Sequence, residues 1–188
     1  MSHPRPMRAD ARRNRERLLT AAASAFAAHG ESASLDDIAK RAGVGSGTLY
    51  RHFPTRRALL EAAYAARIDA LGERGAALSR LLPPGEALTE WLGEVCVATI
   101  QVRGLKTLLG TAATDTPLTA CGTVVKSTAT TLLAAAQSEG TLRPDLTPTD
   151  LLRLTHGVAT AAELGGGEAR EIGRYLGWLL DGLRVSGG

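Results

Sequence analysis

The chain has 188 residues, 44% of them hydrophobic and 22% charged, which is ordinary for a folded protein and enough to bury a core. No apolar run approaches the roughly 18 residues that a membrane-spanning helix needs. The opening MSHPRPMRADARRNRER lacks the apolar stretch of a secretory signal, so a cytoplasmic location with no membrane partner is expected. Charge is uneven: residues 1–57 hold eleven Lys/Arg against five acids, a local +6, while the remainder holds eleven bases and fourteen acids. A basic first third on a mildly acidic body is the footprint of a head that binds a polyanion, although a solvated basic face would look the same. Cys96 and Cys121 stand far apart without CxxC spacing, which argues against a disulfide framework or a zinc knuckle.

Abundant Ala, Leu and Arg, with only 4% aromatic residues, favour helices over sheets. Residues 11–29 read as a first helix, with Leu18, Leu19, Ala22 and Phe26 at helical spacing and Gly30 as its stop. In SLDDIAKRAG, Ser34 is a good N-cap, and Asp36 and Asp37 suit the positive end of the helix dipole. A short third helix runs through SGTLYRHF to Pro54. Thr55 caps a long fourth helix reaching Leu82, unless Gly72 or Gly75 bends it. Further helices follow: one carrying Leu88, Trp91, Leu92 and Val95, a short piece at 105–109, and one from Leu118 to Ala136, ended by Gly140. The last two span Leu151–Leu164, with Thr147 or Thr149 as cap, and Glu168–Arg184. The expected fold is all-α, with a head over residues 1–60 joined by the long helix to a helical body over 61–188.

Within the head, Ala39 lets two helices cross closely, Gly43 can adopt the left-handed conformation of a tight turn, and Leu49 would bury between the helices. Any helical hairpin could show this much. The longer run AAASAFAAHG…SLDDIAKRAGVGSGTLYRHFPTRRALLEAAY is more specific, and it resembles the N-terminal domain of the TetR family of transcriptional regulators over about residues 12–65. The resemblance implies a three-helix DNA-binding head with a helix-turn-helix, an all-helical regulatory domain, a homodimer, and for most relatives repression relieved by a small ligand; for this chain a small, largely apolar effector is expected. It implies Thr48 at base edges, Tyr50 on a phosphate or a base, and His52 and Arg56 on phosphates. Ser34, Ser46, Gly47 and Arg51 complete the expected DNA-contact set. Thr offers a methyl and a hydroxyl to the major groove, while Tyr, His and Arg donate to phosphate oxygens. Two departures stand out. Gly45-Ser46 replaces the common Ser-Lys, which weakens a cap and a basic base-reader, and Glu31 replaces a frequent aromatic in a loop one residue shorter. The arginines between Arg5 and Arg17 are either a solvated tail or contacts to the backbone or minor groove.

The stretches LRPDLTPTDLLRLTHGVA and RYLGWLLDGLR are similar to the C-terminal domains of an SbtR-like subset of that family, which implies dimerisation through the last two helices and a pocket in the body. Both helices show apolar stripes on two faces, which nominates Leu152, Ala159, Tyr175, Trp178 and Leu179 for a two-fold interface. Trp91, Cys121, His156 and Thr160 are nominated for an effector, with core packing as the bland alternative. The four histidines are dispersed, and no HExxH, GxSxG or phosphate-cradling loop occurs, so no enzyme, cofactor or metal is expected. A ligand-independent regulator or activator of the same fold, or a helical small-molecule-binding protein without DNA function, are the competing readings.

Overall fold

The structure is a computed structural model that describes residues 5–101 and 120–185, with side chains there except at 5–9 and 31. Eight α-helices occur among the described residues: α1 Arg5–His29, α2 Leu35–Arg41, α3 Ser46–His52, α4 Arg56–Leu81, α5 Pro84–Gln101, α6 Ala120–Ser138, α7 Pro148–Leu164 and α8 Ala169–Leu183. A 3-10 turn, Gly30–Ser32, joins α1 to α2. The expected short helix at 105–109 and the start of the next at Leu118 lie outside the described residues.

The chain divides into two compact units, Met1–Ala65 and Ala66–Gly188, with the division inside α4. The first unit is built on α1, which begins six residues earlier than apolar periodicity alone indicates. Arg and Ala extend a helix without any apolar stripe, and Pro6 sits in the first turn, where its missing N–H is no loss. Leu18, Ala22, Ala25 and Phe26 on α1 bury with Ile38, Ala39 and Ala42 of the α2 segment, Leu49 of α3, Phe53, and Leu59 and Leu60 of α4. The Tyr64 hydroxyl donates to the Ala23 carbonyl at 3.0 Å, which fixes the beginning of α4 to α1.

In the second unit α5 is central and packs against α6, α7 and α8. Its Leu88, Trp91, Leu92, Val95 and Cys96 are buried along one broad face, while Glu86, Glu90 and Gln101 are exposed. The Trp91 ring is fully buried, and its Nε1–H donates to the Leu71 carbonyl at 2.9 Å. Gly72 and Gly75 do not interrupt α4, which runs unbroken for 26 residues. They serve close approach instead: a Cβ on Gly72 would lie 2.9 Å from Val124 of α6, and one on Gly75 would strike Thr128 and meet the Trp91 ring at 3.2 Å.

The α6–α7 connection is tied by one side chain, since Gln137 Nε2 donates to the carbonyls of Arg143 and Leu146 at 3.0 and 2.9 Å. Thr147, one of the two cap candidates, accepts from the Asp150 N–H at 3.1 Å and so starts α7. On α8 the buried stripe is Ile172, Leu176 and Leu180, at a strict four-residue spacing. Leu179 and Leu183 of the same helix are only half-buried.

Candidate nucleic-acid interface

The site begins with the α2–turn–α3 unit. Ser34 Oγ accepts from the Asp37 N–H at 3.2 Å, and Asp36 and Asp37 occupy the first turn while Lys40 and Arg41 occupy the last, so both ends of α2 complement its dipole. The turn follows from Gly43, whose φ of 65° lies in the left-handed region that a side chain resists. It lets the Val44 N–H reach back to the Ala39 carbonyl and the Gly43 N–H to the Lys40 carbonyl, each at 3.0 Å, which satisfies the end of α2.

α3 then starts at Ser46 with Gly45 as an N-cap that makes no side-chain bond. The weakened cap read from the sequence is therefore real, and a different contact compensates. Ser46 Oγ donates to Asp36 Oδ1 at 2.7 Å, which ties the first residue of α3 to α2. Leu49 and Phe53 bury on one side of α3, and Arg15 of α1 lies over the Phe53 ring at 5.6 Å. A helix of seven residues is anchored by these contacts and not by its own propensity.

Opposite Leu49 and Phe53 lies the exposed face. At 100° per residue, Gly47 and Arg51 sit near its centre, with Tyr50 on one flank and Thr48 on the other. Tyr50 is 49% exposed, a large aromatic presented to solvent, and Arg51 is exposed as well. Thr48 is half-buried, and its Oγ1 accepts from Arg51 Nη2 at 3.1 Å. A Cβ on Gly45 or Gly47 would meet nothing within 4 Å, so the first turn of α3 is bare of side chains on this face. His52 is half-buried beside Phe53, with ring centroids 6.2 Å apart.

Arg56, expected on a phosphate, also makes a contact inside the head. It is half-buried in the first turn of α4, and its Nη1 donates to the Ala33 carbonyl, which makes it first a tie within the head. Thr55 accepts from the Ala58 N–H at 3.0 Å and caps α4 as its residue type predicts. Along α1, Arg12 pairs with Glu16 at 3.6 Å, Arg13 with Asp10, and Arg17 donates to Asn14 at 2.5 Å. The side chains of Arg5 and Arg8 lie outside the described ones.

In the body, Trp91 and Cys121 are buried, while His156 and Thr160 are half-buried. None of the four lines the open cavity of about 720 Å³ between α4, α5 and α8. That cavity has a floor of Leu71, Val97, Ile172 and Leu176, and a rim where Arg74 Nε meets Glu94 Oε1 at 2.7 Å. No signal in the sequence marked it, because it exists where Gly93 and Gly173 leave side-chain volume out of two separate helices. Of the nominated interface residues, Leu152 and Ala159 are buried within the chain itself, and Tyr175 and Leu179 are half-buried. Trp178 is 64% exposed, with its ring 5.7 Å from that of Tyr175 and the Arg174 guanidinium over both. Leu164, at the end of α7, is 87% exposed and was not singled out from the sequence. No helix among the described residues is long and apolar enough to cross a membrane. No cluster of three or more His, Cys, Asp or Glu side chains that could hold a metal occurs there either.

Comparison with known proteins accords with this geometry. The family described as bacterial regulatory proteins, tetR family, matches residues 18–63, and the transcriptional regulator SbtR-like C-terminal domain matches residues 83–185. A TetR transcriptional regulator from Streptomyces coelicolor is 35% identical, covers 92% of this chain and 99% of its own, and superposes with a TM-score of 0.59. The ketosteroid transcriptional regulator KstR2 of Mycobacterium tuberculosis is 25% identical over 92% of this chain and 95% of its own, with a TM-score of 0.60. Thermus thermophilus FadR, a repressor solved in complex with lauroyl-CoA, shares the fold at 23% identity and a TM-score of 0.65, covering 93% of this chain and 97% of its own. No curated protein matches the chain.

Proposed function

Since the chain belongs to the TetR family of bacterial regulatory proteins, we propose that it works as a homodimer on an inverted-repeat operator in duplex DNA, and that a small, largely apolar effector releases it. The observation that carries this is the exposed face of α3. Tyr50 and Arg51 are presented to solvent on a short helix whose other side is locked into the head by Leu49, Phe53 and the Ser46–Asp36 bond. Such a helix suits the major groove, and two of them on a two-fold axis require half-sites one helical turn apart, about 34–36 Å.

Dimerisation is supported by the apolar groups left uncovered on the last two helices, Trp178 and Leu164 above all. A single chain leaves a tryptophan that exposed only at a cost, and burial against a symmetry mate removes it. The effector reading draws on the cavity between α4, α5 and α8, with its apolar floor and charged rim, and on the lauroyl-CoA bound by the Thermus relative. An effector shifts the DNA-binding equilibrium only through its differential affinity for the two states, so about a hundredfold preference, near 2.7 kcal/mol, suffices for release.

Footprinting on duplexes carrying inverted repeats tests the central claim, and symmetric protection over two half-sites is the expected result. Protection of one non-symmetric half-site would sink it. Trp178→Arg should yield monomers by light scattering and lose operator binding with the dimer. The effector is tested by reciprocity: a compound that releases the protein must itself bind more weakly, by the same factor, when operator is present.

A further inference from the structure

The resemblance gave the base-reading role to Thr48, but the geometry divides the labour differently. We infer that Arg51 is the base reader of α3, that it takes a guanine through that base's two major-groove acceptors, and that Thr48 is a positioning residue acting on it. The inference rests on the DNA-binding reading above and goes further by naming the base and the residue that orients the reader.

Three observations carry it. Arg51 lies near the centre of the face opposite Leu49 and Phe53, where a side chain points into a groove and not along its walls. Helical side chains lean toward the N-terminus, over the residues three and four positions earlier. For Arg51 those are Thr48 and Gly47. Gly47 has no side chain, and even a Cβ there would meet nothing within 4 Å, so the guanidinium has an unobstructed path along the helix. Thr48 Oγ1 accepts one N–H from Arg51 Nη2 at 3.1 Å, which narrows the rotamers of an otherwise free side chain and leaves its other donors unspent.

The residues that open α3 cannot take the role. The Ser46 hydroxyl is engaged by Asp36, and Gly45 and Gly47 have no side chain. The planar fork of an arginine matches guanine O6 and N7 together, whereas a threonine hydroxyl fits several bases and discriminates little. A threonine that is half-buried and already bonded to the arginine acts as its support.

The test selects bound duplexes from a library of randomised inverted repeats, using the full chain and its variants Arg51→Ala, Thr48→Val and Thr48→Ser. The full chain should select one guanine at a fixed place in each half-site. Arg51→Ala should lose that preference by roughly 5- to 150-fold, with preferences elsewhere in the site intact, which also shows that the variant is folded. Thr48→Val keeps the shape and removes the acceptor, so it should weaken the guanine preference, and Thr48→Ser should restore it. An Arg51→Ala variant that binds every sequence more weakly, with a salt slope smaller by about one unit, would make Arg51 a phosphate contact and overturn the assignment. Undiminished guanine preference in Thr48→Val would overturn the positioning role. If the unaltered chain selects no sequence at all, the DNA-binding reading itself falls, an outcome distinct from the other two.

Discussion

Gly75→Ala is a substitution whose sign ordinary helix propensity gets wrong. Alanine in a helix interior is favoured over glycine by about 1 kcal/mol, and Gly75 lies well inside α4. A Cβ there, however, would overlap the Thr128 methyl and press on the Trp91 ring at 3.2 Å. Neither neighbour yields easily. Thr128 is short and β-branched, with its hydroxyl bonded to the Val124 carbonyl at 2.9 Å, and Trp91 is fully buried with its N–H engaged by Leu71. Overpacking of this kind costs about 1–3 kcal/mol, so the net effect is a loss of about 0–2 kcal/mol. Thr128→Ser removes the obstructing methyl, and in that background Gly75→Ala should become neutral or stabilising. Urea unfolding of the four proteins of this cycle, at unchanged m-value, should give a coupling of about 1–2 kcal/mol between the two positions. A Gly75→Ala variant stabilised by about 1 kcal/mol, or a cycle without coupling, would refute the close-approach argument.

Gly43→Ala should destabilise the head by about 1–2 kcal/mol, because its φ of 65° is left-handed, and hydrogen exchange in α2 and α3 would register the change. Arg56→Met keeps the aliphatic stem but removes the donor to the Ala33 carbonyl, with an expected loss of about 1.5–3 kcal/mol in denaturant titration. A loss under about 0.5 kcal/mol would show that the tie is unimportant. Burial pushes the Cys96 thiol up to about 12 from 9.0. Because the folded value is the higher one, the contribution is complete below pH 9 and is lost as pH rises from 9 toward 12. Cys96→Ala should flatten that part of the alkaline decline. In a Cys121→Ala background, Cys96 should resist alkylation at pH 8 until the chain unfolds, and rapid labelling of the folded protein would contradict its burial.

Most of the fold is legible in the sequence because its punctuation is local. Ser34, Thr55 and Thr147 each accept from the backbone N–H three residues on, as cap residues do, and Gly43 turns left-handed where the hairpin reading needs it. Features that depend on two distant segments are not legible in this way. Gly72 and Gly75 looked like points of weakness in α4, and only the positions of Val124, Thr128 and Trp91 show them to be contact sites. The two apolar stripes of α8 were visible, but the burial of Ile172, Leu176 and Leu180 depends on how the helix is rotated against α5. Arg56 reads as a surface cation because nothing in its neighbourhood along the chain announces the Ala33 carbonyl, twenty-three residues earlier. The same limit hid the cavity, whose lining comes from three helices.

The order of α3 is borrowed. Seven residues behind a Gly45 that offers no side-chain cap, with Gly47 in the first turn, would not hold a helix in isolation, since nucleation is costly and glycine disfavours the state. Leu49 and Phe53 on its inner side and the Ser46 bond to Asp36 hold it in place instead. That arrangement has a consequence for recognition. The glycines that weaken the helix also clear its leading turn, so the backbone can approach a duplex closely while sequence is read from fewer side chains. On the proposed DNA-binding reading, specificity would concentrate on Tyr50, Arg51 and the threonine that holds Arg51, and a single substitution among them should alter the preferred site more than it would on a fully furnished helix. Adding a side chain at Gly47 is the converse case: the space is open, so the fold should tolerate it, and on the proposed reading the change would fall on the path of Arg51 toward the groove.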